Sequence, residues 1–129
     1  DIESARKEYG DDKSYVGLYH APVNGAITAI GYEFEDHNDL EQFDGCDMVL
    51  MGDIHLRQKF DYNGIPIAYS SSMIQQDFGE KLYEHGYLIW DVEDRTYTEH
   101  NLEIDYGYFV FKIKSLDDLE SESEKLMNL

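Results

Sequence analysis

Three side chains in this sequence stand where metal chemistry is most readily built. His20 follows the apolar run at residues 15–19, and Asp53 and His55 follow the run at residues 48–51, with Gly52 between run and pair. In α/β sheets the crevice beyond the carboxyl ends of the strands is where ligands bind, so residues placed there can face one another. Imidazole and carboxylate groups are both ligands for divalent cations. In extended backbone, residues two apart point the same way and lie about 6 to 7 Å apart. Asp53 and His55 are therefore expected to flank a pair of ions about 3.5 to 4 Å apart, with His20 closing one side. Gly52 would free the backbone to turn sharply at the strand end. A single His at a strand end is commonly a hydrogen-bonded structural residue, and Asp-x-His is frequent by chance. The joint placement is what points to a metal.

The elements that must position these groups follow from local pattern. Residues 47–51 read as the clearest buried strand, since the continuous apolar run 48–51, bounded by turn residues, is what a strand covered on both faces requires. Residues 15–19 are rich in strand formers and follow a polar stretch, 1–14, with a turn at Gly10-Asp11-Asp12. Residues 26–30 fit a short helix or an extended piece equally well, and 36–43 predict a short helix ended by Gly45. Residues 65–69 read as a strand whose Pro66 pushes it toward a sheet edge or a strand start. Residues 87–90 and 96–104 predict a hairpin turning at Glu93-Asp94-Arg95, and 108–113 a last strand. Ser115 with Asp118 three residues on predicts a capped helix, with Leu116, Leu119, Leu126 and Leu129 on one stripe.

A chain of 129 residues that is 42% hydrophobic suffices for one modest domain. Its formal net charge of −18 argues against this segment gripping a nucleic-acid backbone by itself. Bound cations, a basic region of a longer polypeptide or a partner subunit would have to supply the positive charge. Cys46 is the only cysteine, which excludes an internal disulfide and thiolate zinc sites. No apolar run approaches the roughly 18 to 20 residues of a membrane span, and no leader pattern opens the chain, so a cytoplasmic protein is expected. The start at Asp1 rather than Met suggests that residue 1 is not a natural beginning.

The string Val49-Leu50-Met51-Gly52-Asp53-Ile54-His55-Leu56-Arg57-Gln58 resembles the last metal-binding motif, GHxH, of calcineurin-like metallophosphoesterases, in the form seen in SbcD and related repair and phage recombination nucleases. Leu18-Tyr19-His20-Ala21-Pro22-Val23 resembles the preceding motif, a single His after a strand. The stretch 67–80, from Ile67-Ala68-Tyr69-Ser70 to Gly79-Glu80, is similar to the Y-x-G-S-L-x-Q-x-x-x-x-E segment that follows in those nucleases. Order and spacing agree from about Ser14 to Tyr108.

The resemblance implies an α/β fold: the second half of a four-layer sandwich, a β-sandwich flanked by helices, with a mixed sheet. Residues 1–114 would be a partial metallophosphoesterase domain, and 115–129 a C-terminal helix or the start of a cap region. It implies His20 and Asp53 as ligands of one metal and His55 of the other, two divalent ions in all, with manganese preferred and magnesium tolerated. Ser72 and Gln75 would lie near substrate. In the complete enzyme it implies a DNA exonuclease and endonuclease subunit acting beside an SbcC-type ATPase, with a homodimer as one arrangement and the host cytoplasm as the place if the gene is phage-borne.

Two departures matter. Asp53 stands where the family commonly has His, a harder ligand that suits manganese or magnesium better than zinc, and Ser71 stands where Gly is usual. The larger departure is that the family's upstream motifs, D-x-H, G-D and G-N-H-D, have no match here. A two-metal site needs a bridging carboxylate and ligands from each side. Three side chains are half a site, and the family's acid catalyst, a His, belongs to the other half, so the isolated chain is expected to be inactive. A phosphomonoesterase or cyclic-nucleotide phosphodiesterase shares the metal motifs. A rival from another class is a noncatalytic acidic module that mimics DNA.

The remaining polar candidates rank lower. His37 and His100 sit in solvated contexts, and His85 precedes a strand rather than following one, which makes it a poor ligand. Gln75 and Gln76 fit a turn-stabilising role as well as a substrate contact.

Overall fold

The uncharged run at residues 48–51 becomes the inner strand of a mixed sheet. In the computed structural model, which describes residues 2–127, four strands form one sheet: β1 (Val16–His20), β2 (Met48–Gly52), β3 (Gln58–Tyr62) and β4 (Ile65–Tyr69). Their order is β1-β2-β4-β3. β2 runs parallel to β1 and to β4, while β3 closes the far edge antiparallel to β4. A separate antiparallel pair, β5 (Gly86–Asp91) and β6 (Thr96–Asn101), follows. The class is thus α/β with a mixed sheet, strands predominating.

Burial follows position in the sheet. Met48, Val49 and Ile67 have no exposed surface and Met51 only 4%, as inner strands covered on both faces require. Val49, Met51, Ile67 and Tyr69 pack with Val23, Ala26, Phe43, Cys46 and Ile54 into the core. At the free edge, β1 leaves Val16 and Leu18 exposed.

Several sequence expectations need correction. Residues 2–9, read as a polar lead-in, form helix α1 (Ile2–Tyr9), which ends at Gly10 with φ of 96°. Ile2 packs on the core, and Arg6 donates to the Gly45 carbonyl at 2.8 Å and to Asp47 at 3.0 Å. An apolar residue and an arginine on one short helix thus suffice once tertiary partners exist. β3 was not anticipated, although Asn63-Gly64 is the favoured two-residue hairpin turn and both residues have positive φ, 53° and 78°. That hairpin also settles Pro66: β4 is an inner strand, and Pro66 lies near its start, opposite Asp61, before the pairing with β2 begins at Ile67.

Residues 26–30 form neither a helix nor a strand, only an isolated bridge from Ile27 to Glu33. The helix expected over 36–43 shrinks to a 3-10 turn (Leu40–Phe43), followed by Gly45 at φ of 85°. The strand expected at 108–113 is irregular, because Tyr108 pairs with the side-chain amide of Gln75 rather than with a neighbouring strand.

The hairpin turning at 93–95 is present, and Arg95 at its tip reaches Asp47 at 2.7 Å. The capping box is also present at the start of α2 (Leu116–Met127): the Asp118 amide donates to Ser115 Oγ and the Ser115 amide to Asp118 Oδ2. The Lys114 amide, with Ser115, holds the Asp118 carboxyl below its ordinary range. Leu116 and Leu119 on α2 are exposed; Leu129 and the side chain of Leu126 lie outside the described residues. Among the described residues no helix is long and apolar enough to cross a membrane.

Candidate metal centre

Parallel pairing brings three chain segments to one end of the sheet. β1, β2 and β4 all run toward it, with His20 beside Gly52 and Met51 beside Tyr69 in register. The residues that leave these strands are His20 itself, Asp53 and the 70–72 loop. Tyr69 fixes the first departure, since its buried hydroxyl donates to the Ala21 carbonyl at 2.9 Å and accepts from the Val23 amide at 3.2 Å. Burial pushes that hydroxyl up to about 12, so it stays protonated and able to donate across the physiological range.

Gly52 has a different purpose from the one its sequence suggests. A Cβ there would lie 2.7 Å from His20 Cδ2, so the missing side chain is the space in which the His20 ring lies. The turn is made one residue later, by Asp53 at φ of 87°, a left-handed conformation unusual for a residue with a side chain. The extended geometry expected for residues 53–55 is therefore absent. The chain reverses Asp53 toward β1, buries Ile54, and sends His55 elsewhere.

Two groupings result. Asp53 Oδ1 lies 4.0 Å from His20 Nδ1, with the side chains 43% and 80% exposed. His55 Nδ1 lies 2.6 Å from Oε1 of Glu80, whose side chain is only 4% exposed. Two donors each about 2.1 Å from one ion can be no more than about 4.2 Å apart, and the His20–Asp53 separation falls inside that limit. Among the described residues, no group of three or more His, Cys, Asp or Glu is arranged around a single ion. The structure thus offers one pair of donors within reach of a single ion, and His55 as a separate donor.

The loop after β4 holds His55 from behind. Ser71, at φ of 87°, donates its hydroxyl to the His55 carbonyl at 3.0 Å, and the Ser72 amide donates to the same oxygen at 3.3 Å. The left-handed backbone of Ser71 is a conformation that favours glycine. The second Glu80 oxygen accepts the Gln76 amide at 2.8 Å.

Ser72 and Gln75, expected near substrate, are engaged within the fold. Ser72 Oγ lies 2.9 Å from Nδ1 of the buried His85, whose Nε2 faces the Lys81 carbonyl at 2.7 Å. A carbonyl only accepts, so Nε2 of His85 carries a proton and donates to it. Both ring nitrogens of His85 are thus used, in keeping with its poor standing as a ligand. Gln75 is 4% exposed. Its amide donates to the Glu80 carbonyl at 2.9 Å and accepts the Tyr108 amide at 2.6 Å, the turn-stabilising role.

His100 stacks on Tyr87 with ring centroids 5.2 Å apart, and His37 sits edge-on to Phe34. Beside His55 opens a cleft of about 400 Å³ whose walls carry Arg57, Lys59 and Lys81 and also Glu80, Glu84 and Glu99, with Arg57 paired to Glu99 at 3.3 Å and Lys81 to Glu84 at 2.8 Å.

The residue that sequence reasoning missed is Glu80. It closes the 67–80 segment already singled out, but its contact with His55 spans two loops and leaves no local signal.

No family model matches the chain, and no solved structure matches it. It is similar to a protein of Acanthamoeba polyphaga mimivirus named "Uncharacterized protein R555", with 38% identity over 115 residues. The aligned part covers 88% of this chain and 8% of that protein, so the chain spans a small fraction of the relative's length.

Proposed function

We propose that this chain is part of a metal-dependent phosphodiesterase, a DNA exonuclease and endonuclease subunit of the SbcD type, built on half of a calcineurin-like sandwich. The observation that carries the reading is the meeting of His20 and Asp53 at the ends of two parallel strands, with His55 held apart from them by Glu80 through Nδ1. The order of the motifs along the chain supports it as well. His20 and Asp53 would hold one ion and His55 the other, manganese being favoured over magnesium because two of the three donors are imidazoles. Such an ion pair, when bound, binds the phosphodiester, lowers the pKa of a water and stabilises the departing oxygen. The chain's own part is to orient: Gly52 makes room for His20, the left-handed Asp53 turns its carboxylate toward that ring, and the 70–72 loop holds the His55 backbone. An upstream half of the domain and an SbcC-type ATPase are the partners this reading requires.

Paramagnetic manganese tests it on the isolated chain, because its broadening of NMR signals falls steeply with distance. Signals of His20, Gly52, Asp53, Ile54 and His55 are expected to broaden first, and to stop doing so in a folded His20→Ala, His55→Ala double variant. Even broadening along Asp11, Asp12 and residues 117–124, unchanged in the double variant, would replace the proposal with the acidic, DNA-mimicking module.

A further inference from the structure

We propose that Glu80 is a positioning residue, whose buried carboxylate holds His55 in the tautomer with its proton on Nδ1 and presents a bare Nε2 to a divalent cation. What Nε2 meets rests on the metal-site reading above; the control of the ring does not.

A carboxylate accepts hydrogen bonds and a neutral imidazole has one donor and one acceptor nitrogen. With Glu80 ionised and the ring neutral, Nδ1, 2.6 Å from Glu80 Oε1, is the donor, and the lone pair is left on Nε2. Glu80 cannot readily move away, because its side chain is 4% exposed and its Oε2 accepts the Gln76 amide at 2.8 Å. Its own carbonyl is held by the Gln75 amide at 2.9 Å. His55 is held too, since Ser71 and Ser72 both donate to its carbonyl. Ring and backbone are thus gripped from one loop, while the opposite side of the half-exposed imidazole stays open. Carboxylate partners of this kind behind ligating histidines fix the ring and raise its basicity. Among the described residues His20 has no comparable support, with Asp53 at 4.0 Å as its nearest carboxylate.

Glu80→Gln separates this role from simple packing. The shape is kept, but only one oxygen remains, and the Gln76 amide needs it. The new NH2 group then faces His55 Nδ1, which must turn from donor to acceptor, moving the ring proton to Nε2 and covering the ligand atom.

Long-range proton–nitrogen NMR spectra of the metal-free chain read the tautomer of the neutral His55 ring directly. The expected result is Nδ1 protonated and Nε2 bare in the parent chain, with the two reversed in Glu80→Gln. The manganese concentration needed to broaden His55 should rise about 10- to 100-fold in the variant, with His20 broadening at its parent concentration. A parent chain with the proton on Nε2 overturns the proposal, and does so even if the variant fails to fold. A Glu80→Gln chain with unchanged tautomer and unchanged manganese response overturns it as well. If the tautomer reverses as expected while manganese never affects His55 in either chain, Glu80's control of the ring stands and the metal reading of the site falls.

Discussion

Replacing Asp47 by alanine should lower the unfolding free energy by about 3 kcal/mol, within the roughly 3–5 kcal/mol typical of removing one partner from a buried ion pair. The Asp47 carboxylate is 6% exposed and joins three parts of the chain that are far apart in sequence. One oxygen accepts the Tyr15 amide at 2.8 Å and Arg6 of α1 at 3.0 Å; the other accepts Arg95 from the tip of the β5–β6 hairpin at 2.7 Å. Its loss strands the Tyr15 amide and a largely buried Arg6 charge. Arg6 retains the Gly45 carbonyl, and Arg95, 57% exposed, can return to water, which places the cost at the lower end of the range. An Asp47→Asn chain keeps an acceptor for Tyr15 and should lose less. Urea unfolding checks this as a shift in midpoint at constant slope. A loss under about 1 kcal/mol would mean that the three-way junction contributes no more than a surface ion pair.

The other large effect concerns catalysis. On the proposed reading, the purified chain with manganese should cleave no DNA, because its donors reach two half-sites and none bridges them. In a longer protein carrying the upstream motifs, His55→Ala should lower kcat about a thousandfold, since a catalytic metal contributes several kcal/mol and about 4 kcal/mol corresponds to that factor. Single-turnover cleavage of duplex DNA is the measurement. Strong cleavage by the homogeneous short chain, or a longer His55→Ala protein that keeps its rate, would refute this reading.

What could be read from the sequence was whatever a local pattern determines. β2 announced itself by an uncharged run, the β5–β6 hairpin by alternation around a turn, and the cap of α2 by the Ser115–Asp118 spacing. α1 and residues 108–113 were misread because each depends on partners far along the chain: Asp47 and Gly45 for the helix, Gln75 for the segment. β3 is a different failure, for Asn63-Gly64 was a sufficient local signal. At the site, the types and order of His20, Asp53 and His55 were legible. Their orientations were not, because a left-handed Asp53 cannot be inferred from a motif in which the adjacent glycine looks like the flexible residue.

The sheet's connectivity also sets an order of assembly. The β3–β4 and β5–β6 pairs close over tight turns, whereas Val16 must find Met48 across a long connection, and non-local pairings bear loop-closure entropy before they are rewarded. His20 and Asp53 meet only through that non-local pairing. Folding should therefore complete the candidate site last, and partial opening should take it apart first, seen in hydrogen exchange as Leu18 losing protection before the amides of the β3–β4 hairpin.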